Sequence, residues 1–152
     1  MNPRVIAHRG NLHGSDPATE NSPEQIEKAR KAGFDVEIDV WLIDGQWYTG
    51  HDAPRYKVDF SFLDQSGHWL HAKNLEALHH LCDERTEVAC DFFWHENDKY
   101  TLTNNGFIWT FPGQPLPEEF GIAVLPEDVV DYDVRNAWTI CTDYADDKNS
   151  SI

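Results

Sequence analysis

The sequence predicts a single α/β domain, and three features carry that prediction. Short apolar runs rich in β-branched and aromatic residues recur at 4–7, 34–43, 69–72, 88–94, 107–111, 122–125 and 138–141, each bounded by Gly, Pro, Asn or Asp. Two segments between them, 23–31 and 74–82, carry helical start signals and helical spacing instead. The chain has 152 residues, 40% of them hydrophobic with six Trp, which suits one core and offsets the entropy of ordering it. One domain is expected over residues 1–145, with a polar, fraying tail over 146–152.

Residues 4–7 read as a buried strand that delivers His8, Arg9 and Gly10 to a loop. The stretch 11–21 is polar and turn-rich. Ser22 and Pro23 then supply the N-cap and first residue of a helix that Gly33 ends as its C′ residue. Over 34–43, Val36, Ile38 and Val40 point one way and Asp35, Glu37 and Asp39 the other. With the apolar set packed on helices, three carboxylates share an inner face, which is costly unless water, a cation or basic groups compensate.

Asp44-Gly45 is a hairpin signal, and 46–49 returns as a strand that sets His51 on a loop beside the second strand. Residues 69–72 form a further strand with Lys73 at its end, followed by a helix over 74–82 with helical spacing at Leu75, Leu78 and Leu81, of which Leu78 and Leu81 mark the buried side. Helical patterns are scarce after residue 85, so the later strands are joined by loops and hairpins, and 101–103 with 107–111 reads as a strand pair lining a pocket. His79 and His80 are adjacent, cannot share a helix face, and are expected at the surface. His95, Glu96 and Asp98 read as a solvated turn. The tryptophans fill the core, with Trp109 and Trp138 able to cover an apolar part of a ligand.

A formal net charge of −15 opposes any nucleic-acid backbone, so nucleic acid is not expected as a partner. Cys82, Cys90 and Cys141 lack the paired spacing of a disulfide framework or a thiolate zinc site. The apolar run at 5–7 is far shorter than a signal or membrane segment, so a soluble, cytoplasmic protein without integral membrane association is expected.

The chemistry-bearing residues gather at strand ends. His8 and His51 can trade the roles of general base and general acid near neutral pH. Glu37 and Asp39, two apart on a strand, offer oxygen ligands on one face to a hard cation such as Mg²⁺ or Ca²⁺. Arg9 and Lys73 add positive charge where a phosphate carries negative charge. Together they describe metal-assisted attack on a phosphodiester.

Ala7-His8-Arg9-Gly10, Glu20-Asn21-Ser22, Val36-Glu37-Ile38-Asp39-Val40, Asp44-Gly45 and His51-Asp52 follow one another in the order and spacing of one family. Over its first third the chain resembles the glycerophosphodiester phosphodiesterases, which belong with the phospholipase-C-like phosphodiesterases. The resemblance implies a β/α (TIM-like) barrel, a divalent cation and a small phosphodiester substrate. It implies that His8 and His51 are the catalytic pair, that Arg9 contacts the phosphate, and that Glu37 and Asp39 ligate the metal. Glu20 then ligates the metal or holds the loop around it.

Lys73 matches the lysine of the family's acidic-x-Lys motif, but His71 stands in place of that motif's acidic residue. His71 thus enters as a nitrogen ligand favouring a softer cation, or leaves one position to water. A full barrel needs roughly 200 residues or more. This one is expected to be abbreviated, with about seven to eight strands, fewer helices and a closing strand over 138–143. The rival reading is a non-catalytic module that binds a phosphate-containing ligand or a protein through the same rim.

Overall fold

A computed structural model describes residues 4–83, 85 and 87–149. The first strand, β1 (Ile6–His8), starts later than the apolar run and carries His8 itself. Helix α1 (Pro23–Lys31) has the expected bounds: the Ser22 side chain accepts a hydrogen bond from the Gln25 N–H, and Gly33 follows with φ 97°. The long strand β2 (Asp35–Ile43) turns at Asp44 and Gly45 into β3 (Gln46–Thr49). Both turn residues have positive φ, 50° and 80°, which is the backbone a two-residue hairpin requires and the reason Asp-Gly marks it.

Next come β4 (Tyr56–Val58), the single turn α2 (Phe60–Leu63), β5 (His68–Ala72) and α3 (Leu75–Cys82), capped by the Asn74 side chain. Strands β6 (Asp91–Phe93), β7 (Tyr100–Leu102), β8 (Ile108–Thr110), β9 (Gly121–Val124) and β10 (Thr139–Thr142) complete the sheet. The polar tail expected from residue 146 begins inside a short helix, α4 (Ala145–Asn149), whose Ala145 is buried; residues 150–152 lie outside the described residues.

The strands form one sheet. Seven are parallel neighbours in the order β6-β5-β2-β1-β10-β9-β8, while β7 adds antiparallel to β8 and the β3–β4 ribbon adds antiparallel to the far half of β2. The sheet curls into a barrel-like form. Ile6, Trp69, Phe93, Trp109, Ile122, Val124 and Cys141, drawn from six strands, meet in one cluster on its concave side. Val36, Ile38 and Val40 face the other way, into the core shared with Ile26 and Ala29 of α1 and Ala77 and Leu81 of α3.

Among the described residues no ladder joins β6 to the β7–β8 hairpin, so the sheet is a curled half-barrel. Other contacts link these two ends: the Asn104 N–H donates to Phe92 O at 3.1 Å, and the Phe93 and Trp109 rings stack at 4.4 Å. Helices α1, α2 and α3 all precede β6, and loops and the hairpin carry the later connections, as the thinning of helical patterns predicts.

Leu81 is buried as expected, while Leu75, at the first position of α3, is 73% exposed. One expectation about α3 needs correction. His80 is not a surface residue: its ring meets Trp47 and Phe60 edge-on at 5.3 and 5.0 Å. No helix among the described residues is long and apolar enough to cross a membrane.

Candidate active site

Parallel strands deliver their C-terminal ends to one rim, and the polar layer of this sheet lies there. A cleft of about 470 Å³ opens over it, lined by His8, Arg9, Glu37, Asp39, His51, His71 and Lys73. The register explains the gathering, since β1 pairs His8 with Glu37 and β5 pairs His71 with Asp39. Seven of the eight residues selected from the sequence therefore share one cleft. Glu20 stands behind it: its carboxylate accepts from Arg9 Nη1 at 3.0 Å and from Asn11 Nδ2 at 3.4 Å.

Arg9 sits in the left-handed region, φ 55°, where the chain leaves β1. That turn lets its backbone N–H donate to Glu37 Oε2 at 3.2 Å while its guanidinium reaches Glu20, His51 and, at 3.4 Å, Asp39. Glu37 and Asp39 are only 2% and 1% exposed. Burial and the neighbouring Asp39 charge push the Glu37 carboxyl above its ordinary range. Burial acts the same way on Asp39, but His51, His71 and Arg9 outweigh it and hold that carboxyl well below the usual range. Asn21 adds a two-point clamp: its Nδ2 donates to Asp39 Oδ2 at 2.9 Å and its Oδ1 accepts from the Asp39 N–H at 3.0 Å.

The two histidines are held differently. His8 Nδ1 donates to Asp143 Oδ1 at 2.8 Å, which leaves Nε2 turned toward Glu37, 3.8 Å away. Burial lowers the His8 pKa, yet the bond to Asp143 and the Glu37 and Asp143 charges raise it further, for a net rise. His51 Nδ1 donates to Asp39 Oδ2 at 3.2 Å, and its Nε2 accepts from Arg9 Nη2 at 3.1 Å. A guanidinium only donates, so this His51 keeps its proton on Nδ1 and a lone pair on Nε2.

His71 Nε2 donates to the His95 carbonyl at 2.8 Å, and its Nδ1 lies 3.1 Å from Asp39 Oδ1 and 3.9 Å from Glu37 Oε1. Glu37, Asp39 and His71 form the only group of three such donors close enough together to share a metal ion among the described residues. Sequence reasoning missed three residues of the site, Asp143, His95 and Glu96. Asp143 was visible only as part of a closing strand, and it orients His8 across 135 positions of sequence. His95 and Glu96, read as a solvated turn, line the wall beside His71, and Phe111 joins Trp109 on the apolar side. Trp138 instead packs on Phe107 and Trp69, away from the cleft lining.

Gly50 fixes the approach of His51. Its φ is 151°, its carbonyl accepts from Trp41 Nε1 at 2.8 Å, and a Cβ there would run into the Ala53 carbonyl oxygen. Gly50→Ala is expected to cost about 1–3 kcal/mol in urea denaturation, because the obstacle is backbone and cannot step aside. An unchanged midpoint would show that the 50–55 loop yields freely.

No family model, curated protein or solved structure matches the chain.

Proposed function

We propose that this protein cleaves phosphodiesters with the help of a divalent cation, as the glycerophosphodiester phosphodiesterases its first third resembles do, on an abbreviated TIM-like barrel. The observation that carries the reading is the juxtaposition of His8 and His51 around two buried carboxylates, with Arg9 and Lys73 lining the same cleft. A cleft used only for binding has no evident need of two imidazoles held by separate carboxylates.

Glu37, Asp39 and His71 would hold the cation, which when bound offsets negative charge on the phosphoryl oxygens. Two carboxylates alone suit Mg²⁺ or Ca²⁺, the ions expected from the sequence. Arg9 and Lys73 bind the phosphate. As Arg9 turns to it, its Nη2 leaves His51 Nε2, whose lone pair then takes the proton of the attacking hydroxyl, from water or from the substrate itself. The new P–O bond forms as the bond to the leaving oxygen breaks. His8, fixed through Nδ1 by Asp143, gives its Nε2 proton to that oxygen. Trp109, Phe111 and Val124 line the cleft's apolar side, which suits a glycerophosphodiester with an apolar substituent.

The test is hydrolysis of bis(p-nitrophenyl) phosphate and glycerophosphocholine by the purified protein with Mg²⁺, Ca²⁺, Mn²⁺ or Zn²⁺. The expected result is turnover that EDTA abolishes and added cation restores. A folded protein that binds phosphate or metal but turns over neither diester with any cation would replace this reading with that of a binding module.

A further inference from the structure

We infer that the cation site selects a first-row transition ion over Mg²⁺ and Ca²⁺, and that His71 is the residue that sets this choice, an inference that rests on the cation site of the proposed function. His71 Nε2 faces the His95 carbonyl at 2.8 Å and can bond to it only as a donor. Nδ1 is therefore the nitrogen aimed into the cleft, 3.1 Å from Asp39 Oδ1 and 3.9 Å from Glu37 Oε1. A cation bound among the three takes the place of the proton that Nδ1 otherwise shares with Asp39, because a metal-bound imidazole offers that lone pair.

The ring has little freedom to turn away. It stacks on Phe93 with centroids 5.1 Å apart, and the bond to the His95 carbonyl fixes its other end. A histidine whose second nitrogen donates to a backbone carbonyl, so that the first is aimed and made more basic, is the usual outer support of a metal-bound imidazole. Two donors each about 2.1 Å from one ion stand about 3 to 3.5 Å apart, so His71 Nδ1 and Asp39 Oδ1 already have that separation and Glu37 Oε1 has to move closer to join them.

The donor set then decides the ion. Mg²⁺ and Ca²⁺ take oxygen ligands and gain little from an imidazole, whereas Zn²⁺ and its neighbours gain from nitrogen. Three protein donors at a cleft also match a catalytic zinc-type site, which keeps a further position for water or substrate. Because the three side chains come from the adjacent strands β2 and β5, the sheet itself preorganises the set.

The experiment measures binding of Zn²⁺, Mn²⁺, Mg²⁺ and Ca²⁺ to the purified chain by calorimetry, together with pulsed electron paramagnetic resonance of the Mn²⁺-loaded protein. Zn²⁺ is expected to bind at least about tenfold more tightly than Mg²⁺ or Ca²⁺, and Mn²⁺ to show hyperfine coupling to an imidazole nitrogen. His71→Asp should abolish that coupling and narrow the Zn²⁺ to Mg²⁺ preference about tenfold while Mn²⁺ still binds. Absence of nitrogen coupling in the wild-type protein, equal affinity for Zn²⁺ and Mg²⁺, or coupling that survives in folded His71→Asp overturns the inference, and the first two results need no variant. Nitrogen coupling without diester turnover would sink the phosphodiesterase reading and leave this inference standing. Mg²⁺-supported turnover without coupling would do the reverse.

Discussion

Replacing His8 with alanine is expected to lower diester cleavage by about 10²–10⁴-fold, the usual contribution of a positioned acid or base, with the fold intact. The ring lies at the end of β1 with one nitrogen on Asp143 and the other toward the cleft, so its removal takes away the proton donor to the leaving oxygen. Two comparisons separate this role from mere packing. A substrate with p-nitrophenol as leaving group needs little protonation, so His8→Ala should be hurt less on bis(p-nitrophenyl) phosphate than on glycerophosphocholine. Asp143→Asn should fall between wild type and His8→Ala, because the ring remains but loses the carboxylate that fixes it. Equal losses on both substrates would remove His8 from the acid role, and undiminished turnover would remove it from the reaction.

The second large effect is on acid stability, and it lies outside the cleft. His68 is buried at the start of β5; its Nδ1 donates to the Leu63 carbonyl at 3.1 Å, and its Nε2 is buried without a hydrogen-bond partner. Burial, aided by the nearby Arg30 charge, pulls its pKa down from 6.5 to about 4. Below pH 6.5 the unfolded chain binds a proton on this ring that the folded chain refuses until about pH 4. The stability this residue contributes is therefore complete above pH 6.5 and is lost as the pH falls to 4, a difference of about 3 kcal/mol. Urea denaturation of wild type and His68→Leu at pH 7, 5.5 and 4 checks it. The wild-type protein should lose about 3 kcal/mol more than the variant across that range. Parallel losses would show that the ring is protonated in the folded state without penalty.

Much of the site was legible because most of it is local. His8, Arg9, Glu37, Asp39 and His51 fall within 44 consecutive residues, on a strand end, a strand and a hairpin loop whose signals, Ser22-Pro23 and Asp44-Gly45, depend on neighbours in sequence. Strand alternation alone placed Glu37 and Asp39 on one face opposite Val36, Ile38 and Val40. What was not legible depends on tertiary pairing. Strand β4 is only three residues, Tyr56–Val58, with an exposed lysine at its centre, and exists because β3 offers it a ladder. Asp143 carries no local mark of its partnership with His8, and the inward turn of His80 follows from the ring of Phe60, an element too short to announce itself.

The placement of β10 between β1 and β9 has a kinetic consequence. β10, which lies inside the parallel run, follows every other strand of the sheet in the sequence, and its ladder to β1 joins residues 135 positions apart, Ile6 with Cys141 and Ala7 with Thr142. The ladders of β1 and β9 are therefore joined through a strand far from β1 in sequence, and closing so long a loop must precede the contacts that reward it. This is a topology of high contact order, the class that folds slowly. Until β10 docks, β1 and β2 hold His8, Glu37 and Asp39 while the edge that β10 covers stays exposed, so the vulnerability to aggregation is concentrated in that interval of folding.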